Sequence, residues 1–461
     1  MPTYKNSLFI FRRDLRLQDN TGLNHALNLS EHVLACFIFD RRQIEAHPYQ
    51  SKPGLQFMLQ SIKDLQQQMN SVGAELGLYN DLPETVLKHV VKEHGIEAVF
   101  INRDYTPFSR QRDYQLGLTC NELGLKLHII ADALLTEPEQ AVKHDNTAYK
   151  VFTAFYNNAV RFPVALPEAL SKHNFLLPKS SINLAELDIS KTVLENAMLQ
   201  GGRQQALFIL DHLEAQKDYT QTRDFPSLNT TSKLSVHLKF GTCSVREAYY
   251  AIVNAIGTEH PLLRQLYWRD FFTHIAYHFP NVFGHAFLEK FAHLKWDNNI
   301  EYFNAWAQGK TGFPIVDAGM RELNQTGFMH NRVRMIVASF LVKDLHINWR
   351  WGERYFAQHL VDYDPCVNNG NWQWAASTGC DAQPYFRIFN PWLQQQKFDA
   401  DCQYIYHWLP ELKGFTPKTI HQWDKQHQAG AYPAPIINHA VESQLTKAWY
   451  KTAIETQQID N

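Results

Sequence analysis

Short apolar runs alternate with amphipathic stretches along residues 1–132 of the chain. The apolar runs predict five strands, and the stretches between them repeat apolar residues at the helical spacing of three and four. The predicted strands are Ser7–Phe11, Val33–Phe39, Glu75–Tyr79, Ala98–Ile101 and Lys126–Ile130. The predicted helices are Leu55–Met69, Glu84–Glu93 and Arg110–Leu123. This alternation indicates a doubly wound parallel sheet, which binds ligands at the carboxyl ends of its strands.

The pattern changes twice after this sheet. Periodicity is lost between Phe162 and Lys191, where prolines and serines gather, and after Gly201 nearly all signals are helical. The predicted helices there are Gln204–Lys217, Ser244–Ile256, Leu262–His278, Ile300–Ala307, Pro314–Gln325, Asn331–Leu345 and Trp351–His359. We therefore predict an α/β plus all-α fold, with a Rossmann-like domain over residues 1–132, a connector over 133–200 and a helical domain over 201–461.

Composition narrows the class of protein. The 461 residues exceed one ordinary core, and 45% of them are apolar. Lys and Arg number 44 against 46 Asp and Glu, so nucleic-acid binding must use a local basic patch. Six scattered cysteines without a C-x-x-C pair argue against a disulfide framework and a zinc site, and no metal is expected. Neither a signal peptide nor a membrane-spanning run is visible, so we expect a cytoplasmic protein without membrane contact.

The stretch from Trp349 to Asn390 mixes aromatic and polar residues. Trp349, Trp351, Trp372 and Trp374 lie there among acidic, amide and basic side chains. Because every buried indole N–H needs a partner, aliphatic residues would fill a plain core more simply. The stretch therefore suits a site that holds a planar ligand, stacks on a base or passes electrons, and a Trp-rich helical core is the alternative.

Two other motifs combine charge with polar or aromatic groups. Thr231, Ser232 and Lys233 precede a helical stretch, which suits a phosphate at a helix N-terminus or an ordinary N-cap. Trp268 and Arg269 lie within a predicted helix, where they could stack on a base while holding a phosphate. A half-buried helix that extends its arginine into solvent is the plainer explanation of the second motif.

Two arginines and two aspartates in the helical half are candidates for ion pairs. Arg332 and Arg334 point to different faces of one predicted helix, so one surface does not use both. Asp362 and Asp364 could supply a partner to one of them. Because an isolated buried carboxylate is costly, a buried Asp362 would require such a cation.

Five motifs together resemble the photolyase/cryptochrome family. They read FRRDLRLQDN, RDFPSLNTTSKLS, LYWRDFF, TGFPIVDAGMRELNQTGFMHNRVRMIVASFLVKDLHINWRWGERYF and NNGNWQWAASTGCDAQPYFRIFNP. The resemblance spans nearly the whole chain in the same order and is nearest to class I-like photolyases that split cyclobutane pyrimidine dimers in DNA. It implies an α/β antenna domain and a helical domain that holds FAD. It also implies that photoexcited reduced FAD gives an electron to the dimer, which then opens.

The same resemblance implies roles for individual residues around FAD. Asp362 and Asp364 match the acidic pair beside the flavin, with Arg334 as the ion-pair partner of Asp362, and Asn331 resembles the residue that faces flavin N5. The residues expected to hold the cofactor are Tyr219, Thr231, Ser232, Lys233, Leu234, Ser235, Arg269, Arg334, Asp362, Tyr363, Asp364 and Asn368.

Other residues match the electron path of the family and its contacts with DNA. Trp372, Trp349 and Trp296 resemble its tryptophan chain, with Trp372 nearest the flavin and Trp296 at the surface. The expected DNA contacts are Gln265, Trp268, Asn331, Arg332, Met335, Trp374 and Arg387. Trp268, Met335 and Trp374 resemble the cavity for the flipped dimer, while Arg332 and Arg387 resemble phosphate contacts.

Departures from the family pattern leave alternatives open. Gln265 stands where dimer photolyases carry a glutamate, and six-four photolyases often have Gln there; Asn331 and Met335 oppose that assignment. A cryptochrome-type blue-light photoreceptor is the alternative from another functional class. Phe108-Ser109 replaces the Asn-Glu of folate-type members, so a deazaflavin, a folate and a flavin are all candidates for a second, antenna chromophore, and an empty antenna site is a further alternative. Family resemblance favours a monomer.

Overall fold

The computed structural model of the chain describes residues 2–187, 197–428 and 430–459, with side chains as far as residue 455. The part of the predicted connector from 188 to 196 lies outside these residues. Among the described residues, no helix combines the length and the apolar character that crossing a bilayer requires.

A six-stranded parallel sheet occupies the first part of the chain. Its strands are β1 (Tyr4–Phe11), β2 (Ser30–Ile38), β3 (Gly77–Tyr79), β4 (Ala98–Asn102), β5 (Lys126–Ile130) and β6 (Phe175–Leu176). Five of them follow the order β3-β2-β1-β4-β5, and β6 pairs with β2. Phe9 of β1 lies between Ala35 and Phe100 of its neighbours, and all three are fully buried. Central strands buried on both faces read as continuous apolar runs, and the predicted parallel sheet is confirmed.

Helices cover both faces of this sheet. They are α1 (Thr21–Leu29), α2 (Arg41–Ile44), α3 (Lys52–Ser71), α4 (Pro83–His94) and α5 (Pro107–Glu122). Phe57 and Leu65 of α3 belong to the core on one face, while Leu87 and Val90 of α4 belong to the core on the other. The three predicted helices are confirmed. Helix α1 was not predicted from the sequence, since it has only nine residues and buries Gly22 and Asn24 where apolar side chains would mark the inner face.

Two regular elements lie inside the predicted connector. The first is α6 (Phe152–Ala159), and the second is the strand β6, whose two residues pair with Val33 and Leu34 of β2. The backbone N–H of Val33 also donates to the carbonyl of Asn174, at 2.9 Å. The sequence analysis missed both elements, since a two-residue strand is too short to show any period.

The second half of the described chain contains helices and no strand, which confirms the mainly helical prediction. Its helices are α7 (Arg203–Asp211), α8 (Tyr219–Thr222), α9 (Leu234–Phe240), α10 (Val245–Ile256), α11 (Pro261–His278), α12 (Ile300–Ala307), α13 (Pro314–Thr326), α14 (Asn331–Lys343), α15 (Trp349–His359), α16 (Pro365–Ala375), α17 (Pro391–Phe398), α18 (Gln403–Trp408), α19 (Pro417–Ile420), α20 (Trp423–Gln426) and α21 (His439–Ile459). The sequence analysis missed α16, whose inward positions carry amides such as Asn368 and Asn369 in place of an apolar stripe.

Buried ion pairs fasten the sheet to the helical half. Asp132 accepts hydrogen bonds from Arg16 at 2.7 Å and from Arg246 of α10 at 2.8 Å, and its remaining lone pairs accept from Thr21. Arg246 also donates to Asp19 at 3.0 Å. Burial raises the pKa of the Asp132 carboxyl, but the two arginines outweigh it and hold that pKa well below its usual value. Both oxygens of this carboxylate are therefore fully used within the protein.

Candidate functional site

Asp362 lies between α15 and α16 and has one oxygen without a partner. Its Oδ2 accepts from the Ser235 hydroxyl at 2.6 Å and from Arg334 Nη2 at 3.1 Å. The ion pair predicted between Arg334 and Asp362 is thus confirmed. The side chain is 4% exposed, and Oδ1 has no hydrogen-bond partner among the described residues. A buried carboxylate oxygen is costly when it is left unpaired, so this atom fits a donor supplied by a ligand.

Asp364 has a different environment from Asp362. Its Oδ1 caps α16 by accepting from the backbone N–H groups of Cys366 at 3.0 Å and Val367 at 3.1 Å. Its Oδ2 accepts from Arg13, which follows strand β1, and the two residues form an ion pair. Burial raises the pKa of Asp364, but Arg13 and Lys239 outweigh it and bring the pKa to about 2. The two predicted acids thus differ in their partners: Asp362 keeps one oxygen without a partner among the described residues, and Asp364 joins α16 to the segment after β1 and lines a cavity with Arg269.

Asn368 is buried on α16 next to an acidic residue that the sequence analysis missed. Its Nδ2 donates to the backbone carbonyl of Glu353 and to Glu353 Oε1, both at 3.1 Å. Burial raises the pKa of Glu353 to about 7, although hydrogen bonds from Asn368 and Tyr49 lower it. No sequence signal distinguished Glu353 from the other charged residues of its helix, because the partner that gives it a role lies on α16.

Asn331 and Met335 lie together at the start of α14. The Asn331 side chain is exposed, and its Nδ2 is 3.9 Å from the sulfur of Met335. His330 precedes them and is 4% exposed; its Nδ1 accepts from the backbone N–H of Arg332 at 3.2 Å. Burial lowers the pKa of His330 to about 4, so the ring is neutral and Nε2 carries the proton. That Nε2–H has no partner among the described residues and is available to a ligand.

The predicted phosphate loop leads directly into α9. Lys233 precedes the helix with a positive φ of 56°, and no side chain caps the first N–H groups. The alternative of an ordinary N-cap by Thr231 or Ser232 is therefore wrong. Burial lowers the pKa of the Lys233 ammonium, partly opposed by Glu322. A lysine in the left-handed region is uncommon and costs backbone energy, which is typical of functional sites.

The predicted residues of α11 contact the connector. Trp268 stacks face to face on Phe152 of α6, with ring centroids 3.6 Å apart and an angle of 6° between the planes. Arg269 Nη1 donates to the carbonyl of Ala133 at 2.6 Å. Gln265 is half-buried one turn before Arg269. The Phe152 ring therefore covers one face of the Trp268 indole. No local pattern in the sequence predicts this contact, because the two residues are far apart in the chain.

The other residues predicted to contact DNA lie on several elements. Arg332 Nη2 pairs with Asp224 at 2.7 Å, its guanidinium lies 4.4 Å from the Phe398 ring centroid, and its buried Nε has no partner among the described residues. Arg387 is exposed and Trp374 is half-buried. The roles of these residues at DNA stay predictions.

Tyr219 and Tyr363 are half-buried aromatic members of the predicted cofactor set. The Arg223 guanidinium lies 5.7 Å from the centre of the Tyr219 ring. Tyr363 stacks on Tyr49, with ring centroids 6.5 Å apart. Leu234, the first residue of α9, is buried in the core of the helical half.

Trp372 and Trp349 occupy neighbouring helices, and each is 2% exposed. The Trp372 ring on α16 packs directly over Gly352 of α15, where any added Cβ would collide with it. Gly352 follows Trp349 by about one helical turn. The close approach of the two helices thus brings two of the predicted chain members near each other.

Trp296 is joined to the same region through the backbone that follows it. The N–H of Asp297 donates to the carbonyl of His346 at 3.0 Å, and the N–H of Asn348 donates to Asn298 Oδ1 at 2.9 Å. These bonds hold the segment after Trp296 against the residues just before Trp349. Trp296 itself is half-buried and thus more exposed than Trp349 and Trp372, as expected for the outer end of the predicted chain.

The chain is similar to known proteins of one family. The model of the FAD binding domain of DNA photolyase matches residues 262–452, and the DNA photolyase model matches residues 7–171. The deoxyribodipyrimidine photo-lyase of Alkalihalophilus pseudofirmus is 35% identical to the chain, with 96% of this chain and 97% of the relative covered.

Solved structures agree with these matches. The archaeal photolyase from Sulfolobus tokodaii, crystallised with two FAD molecules, has a TM-score of 0.89 and 43% identity and covers 97% of this chain and 100% of its own. The cryptochrome of Synechocystis has a TM-score of 0.87 and 29% identity, with 97% and 99% covered. Since the match to the photo-lyase extends over nearly the full length of both proteins, the chain belongs to the DNA photolyase family.

Proposed function

We propose that this protein is a deoxyribodipyrimidine photo-lyase that uses light and FAD to split cyclobutane pyrimidine dimers in DNA. The observation that carries the proposal is the half-satisfied carboxylate of Asp362, inside a helical half that matches the FAD binding domain of DNA photolyase. Bound in its reduced form, FAD supplies an electron to the dimer under blue or near-ultraviolet light. The protein contributes binding, orientation and exclusion of water.

Two buried polar atoms support FAD binding in the helical half. Asp362 Oδ1 can accept a hydrogen bond and His330 Nε2 can donate one, and neither has a partner among the described residues. A large ligand with both donors and acceptors fits such a set. Lys233 and the uncapped N-terminus of α9 supply positive potential, so we assign the diphosphate of FAD to this loop.

We assign the amide next to the flavin ring to Asn368, in place of the predicted Asn331. Asn368 and Trp372 are four residues apart on α16 and so lie on one face of the helix. Trp372 is the predicted nearest member of the tryptophan chain, and an amide on its face is close to the same ligand. Asn331 is exposed and adjoins Met335, which supports a contact with the DNA lesion for both.

Trp372, Trp349 and Trp296 are proposed to carry an electron inward to FAD during photoreduction. The packing of Trp372 over Gly352 and the backbone bonds between residues 297 and 348 support this order. Replacing Trp372 with Phe is expected to stop photoreduction and to leave repair by chemically reduced protein largely intact. If both activities survive the change, the assigned path is wrong.

A light-versus-dark repair assay tests the function. Reduced protein is given one oligonucleotide with a cyclobutane dimer and one with a six-four photoproduct. Light-dependent loss of the dimer alone is expected, because Asn331 and Met335 oppose the six-four pattern. Repair of only the six-four lesion would show that Gln265 decides the substrate. Repair of neither by FAD-loaded protein would favour a photoreceptor, since the cryptochrome fold is shared.

We propose that the second chromophore binds at the carboxyl end of the sheet. Arg42 lies 5.4 Å and Arg112 6.0 Å from the centre of the Phe108 ring, which is 39% exposed. Both carboxylate oxygens of Glu84 and the Arg112 Nη2 are buried without partners among the described residues. Chromatography of the chromophores released on denaturation would distinguish a flavin, a folate and a deazaflavin.

We further propose that the protein works as a monomer in the cytoplasm. All six cysteines are unpaired and buried, which agrees with a reducing compartment. Analytical ultracentrifugation of the FAD-loaded protein tests the oligomeric state, and fractionation of cells tests the compartment.

A further inference from the structure

An additional tryptophan contacts the outer end of the predicted tryptophan chain. Trp449 lies on α21, and its ring meets Trp296 edge to face, with centroids 5.0 Å apart and an angle of 85° between the planes. Both rings are half-buried. Edge-to-face contact is an ordinary way for aromatic rings to pack, so the contact alone indicates only a shared core.

A histidine and two carboxylates stand beside Trp449. His346 lies edge to face with Trp449 at 5.6 Å, and His346 Nδ1 is 3.6 Å from a carboxylate oxygen of Asp297 and 3.6 Å from one of Glu442. The two carboxylates therefore lie next to the histidine that the Trp449 ring contacts. While this histidine is neutral, their negative charge lowers the cost of removing an electron from the indole, by the same Coulomb attraction that stabilises any cation.

We propose that Trp449 is the terminal electron donor of the chain that starts at Trp372. This inference rests on the proposed function, because it requires Trp296 to become oxidised during photoreduction. One electron then passes from the Trp449 ring to the oxidised Trp296 ring, which returns to its neutral state. Trp449 is left oxidised and gives its indole proton to water. A thiol in solution restores it by supplying one electron and one proton, and the thiol is oxidised to a thiyl radical.

Moving the charge from Trp296 to Trp449 adds one more transfer between rings to the path by which it must return to FAD. It also places the charge on the last described helix, where α21 offers exposed side chains such as Leu445 one turn away. The step therefore slows charge recombination and gives the thiol more time to react.

Laser-flash spectroscopy of the FAD-loaded protein tests this inference with two matched variants. Trp449→Phe keeps an aromatic ring that cannot be oxidised, whereas Trp449→Tyr keeps one that can. We expect Trp449→Phe to shorten the lifetime of the indole radical and to lower the yield of photoreduced FAD with a thiol several-fold. We expect Trp449→Tyr to restore most of that yield. Because both variants remove the same indole, loss of packing would affect them equally.

Two controls separate the possible failures. Trp408→Phe changes a half-buried indole whose ring contacts are Tyr404 and His407, and it should behave as the native protein. Identical behaviour of the Phe and Tyr variants at position 449 would overturn the inference. Native kinetics in Trp449→Phe combined with lost photoreduction in Trp296→Phe would overturn it too, and would leave the three-tryptophan chain standing. Native photoreduction in Trp372→Phe would overturn the chain itself.

Discussion

Asp132 and Asp362 are both buried aspartates beside arginines, yet their surroundings differ. Asp132, between the sheet and α10, uses both oxygens within the protein through Arg16, Arg246 and Thr21. Asp362, beside α14, uses only Oδ2, and its Oδ1 has no partner in the part of the chain that the structure describes. A complete network fastens two parts of a fold, whereas an incomplete one at the same depth indicates a place for a ligand. Asp132 and Asp362 are alike in burial and charge, and they differ in whether the protein supplies hydrogen-bond partners to both carboxylate oxygens. This difference distinguishes the structural role of Asp132 from the ligand-binding role proposed for Asp362.

The largest effect is expected from Asp132→Ala. The change leaves Arg16 and Arg246 buried without their shared counter-charge, which costs on the order of 3–5 kcal/mol of unfolding free energy. Urea unfolding of the FAD-free protein measures it. Asp362→Asn is the matched control and should cost less, because an amide oxygen can still accept from Ser235 and Arg334, and Arg334 also donates to the carbonyl of Met329. Equal destabilisation by both variants would remove the distinction between the two sites.

Asp362→Asn should instead weaken FAD binding. The amide keeps the shape of the side chain but loses the charge that would accept from the ligand, which costs about 1.5–3 kcal/mol, or roughly a 10–100-fold higher Kd. Fluorescence titration of the FAD-free protein with FAD measures this. Ser235→Ala removes one donor to Oδ2 only and should cost less. Native affinity in Asp362→Asn would move the FAD site elsewhere.

Glu353→Gln tests how pH acts on the helical site. The pKa of Glu353 is raised by burial from 4.5 to about 7, so the folded state binds a proton that the unfolded state releases. Its contribution is full below pH 4.5 and is lost as pH rises through about 7. Unfolding free energy should fall over that window with a slope of at most about 1.4 kcal/mol per pH unit.

Urea titrations at several pH values between those limits measure that slope, which should be smaller in Glu353→Gln. Glu259→Gln, at an exposed glutamate, is the control and should retain the native slope. Asp132, next to the sheet, should affect the unfolding free energy in the opposite direction. Arg16 and Arg246 lower the pKa of its carboxyl, so its contribution to stability is lost as pH falls. An unchanged slope in Glu353→Gln would mean that another group titrates there.

The smallest effect is expected from Lys233→Gly. Glycine adopts a positive φ without strain, so the FAD-free protein should gain about 1 kcal/mol while losing affinity for FAD. Asn229→Gly is the matched control, since Asn229 has a φ of 51° in the same loop but carries no charge. Thermal unfolding measures the first effect and FAD titration the second. If both variants bind FAD equally, the Lys233 ammonium has no part in the site.

Local sequence predicted the sheet and one contact of the site. The continuous apolar runs of β1 and β4 follow from burial on both faces. The need of a buried Asp362 for a cation pointed to one of two arginines, and the family resemblance selected Arg334, which forms the ion pair. Ion pairs between residues that are distant in the sequence were not predicted. Arg13 and Asp364 are 351 residues apart, and neither carries a local pattern that names the other.

Residue type alone also could not show which of two aspartates, or which of two asparagines, has which role. Asp362 and Asp364 are only two positions apart in the sequence. Asp364 caps α16, whereas Asp362 keeps one oxygen without a partner among the described residues. Asn331 and Asn368 are both amides in the helical half, but only Asn368 is buried. Burial depends on how helices pack, and that packing is absent from any short window of sequence.

By itself, the sequence determined the classes of element, the two-part organisation and the set of residues that could serve FAD, DNA and electron transfer. Hydrophobic periodicity and motif order are local properties, so they can be read along the chain. Only the tertiary structure decided that Asp362 stays half-satisfied, that Glu353 adjoins Asn368 and that Trp449 covers Trp296. Each of these depends on segments that lie apart in the sequence and meet in the fold, and long-range packing sets their burial together with the desolvation it brings.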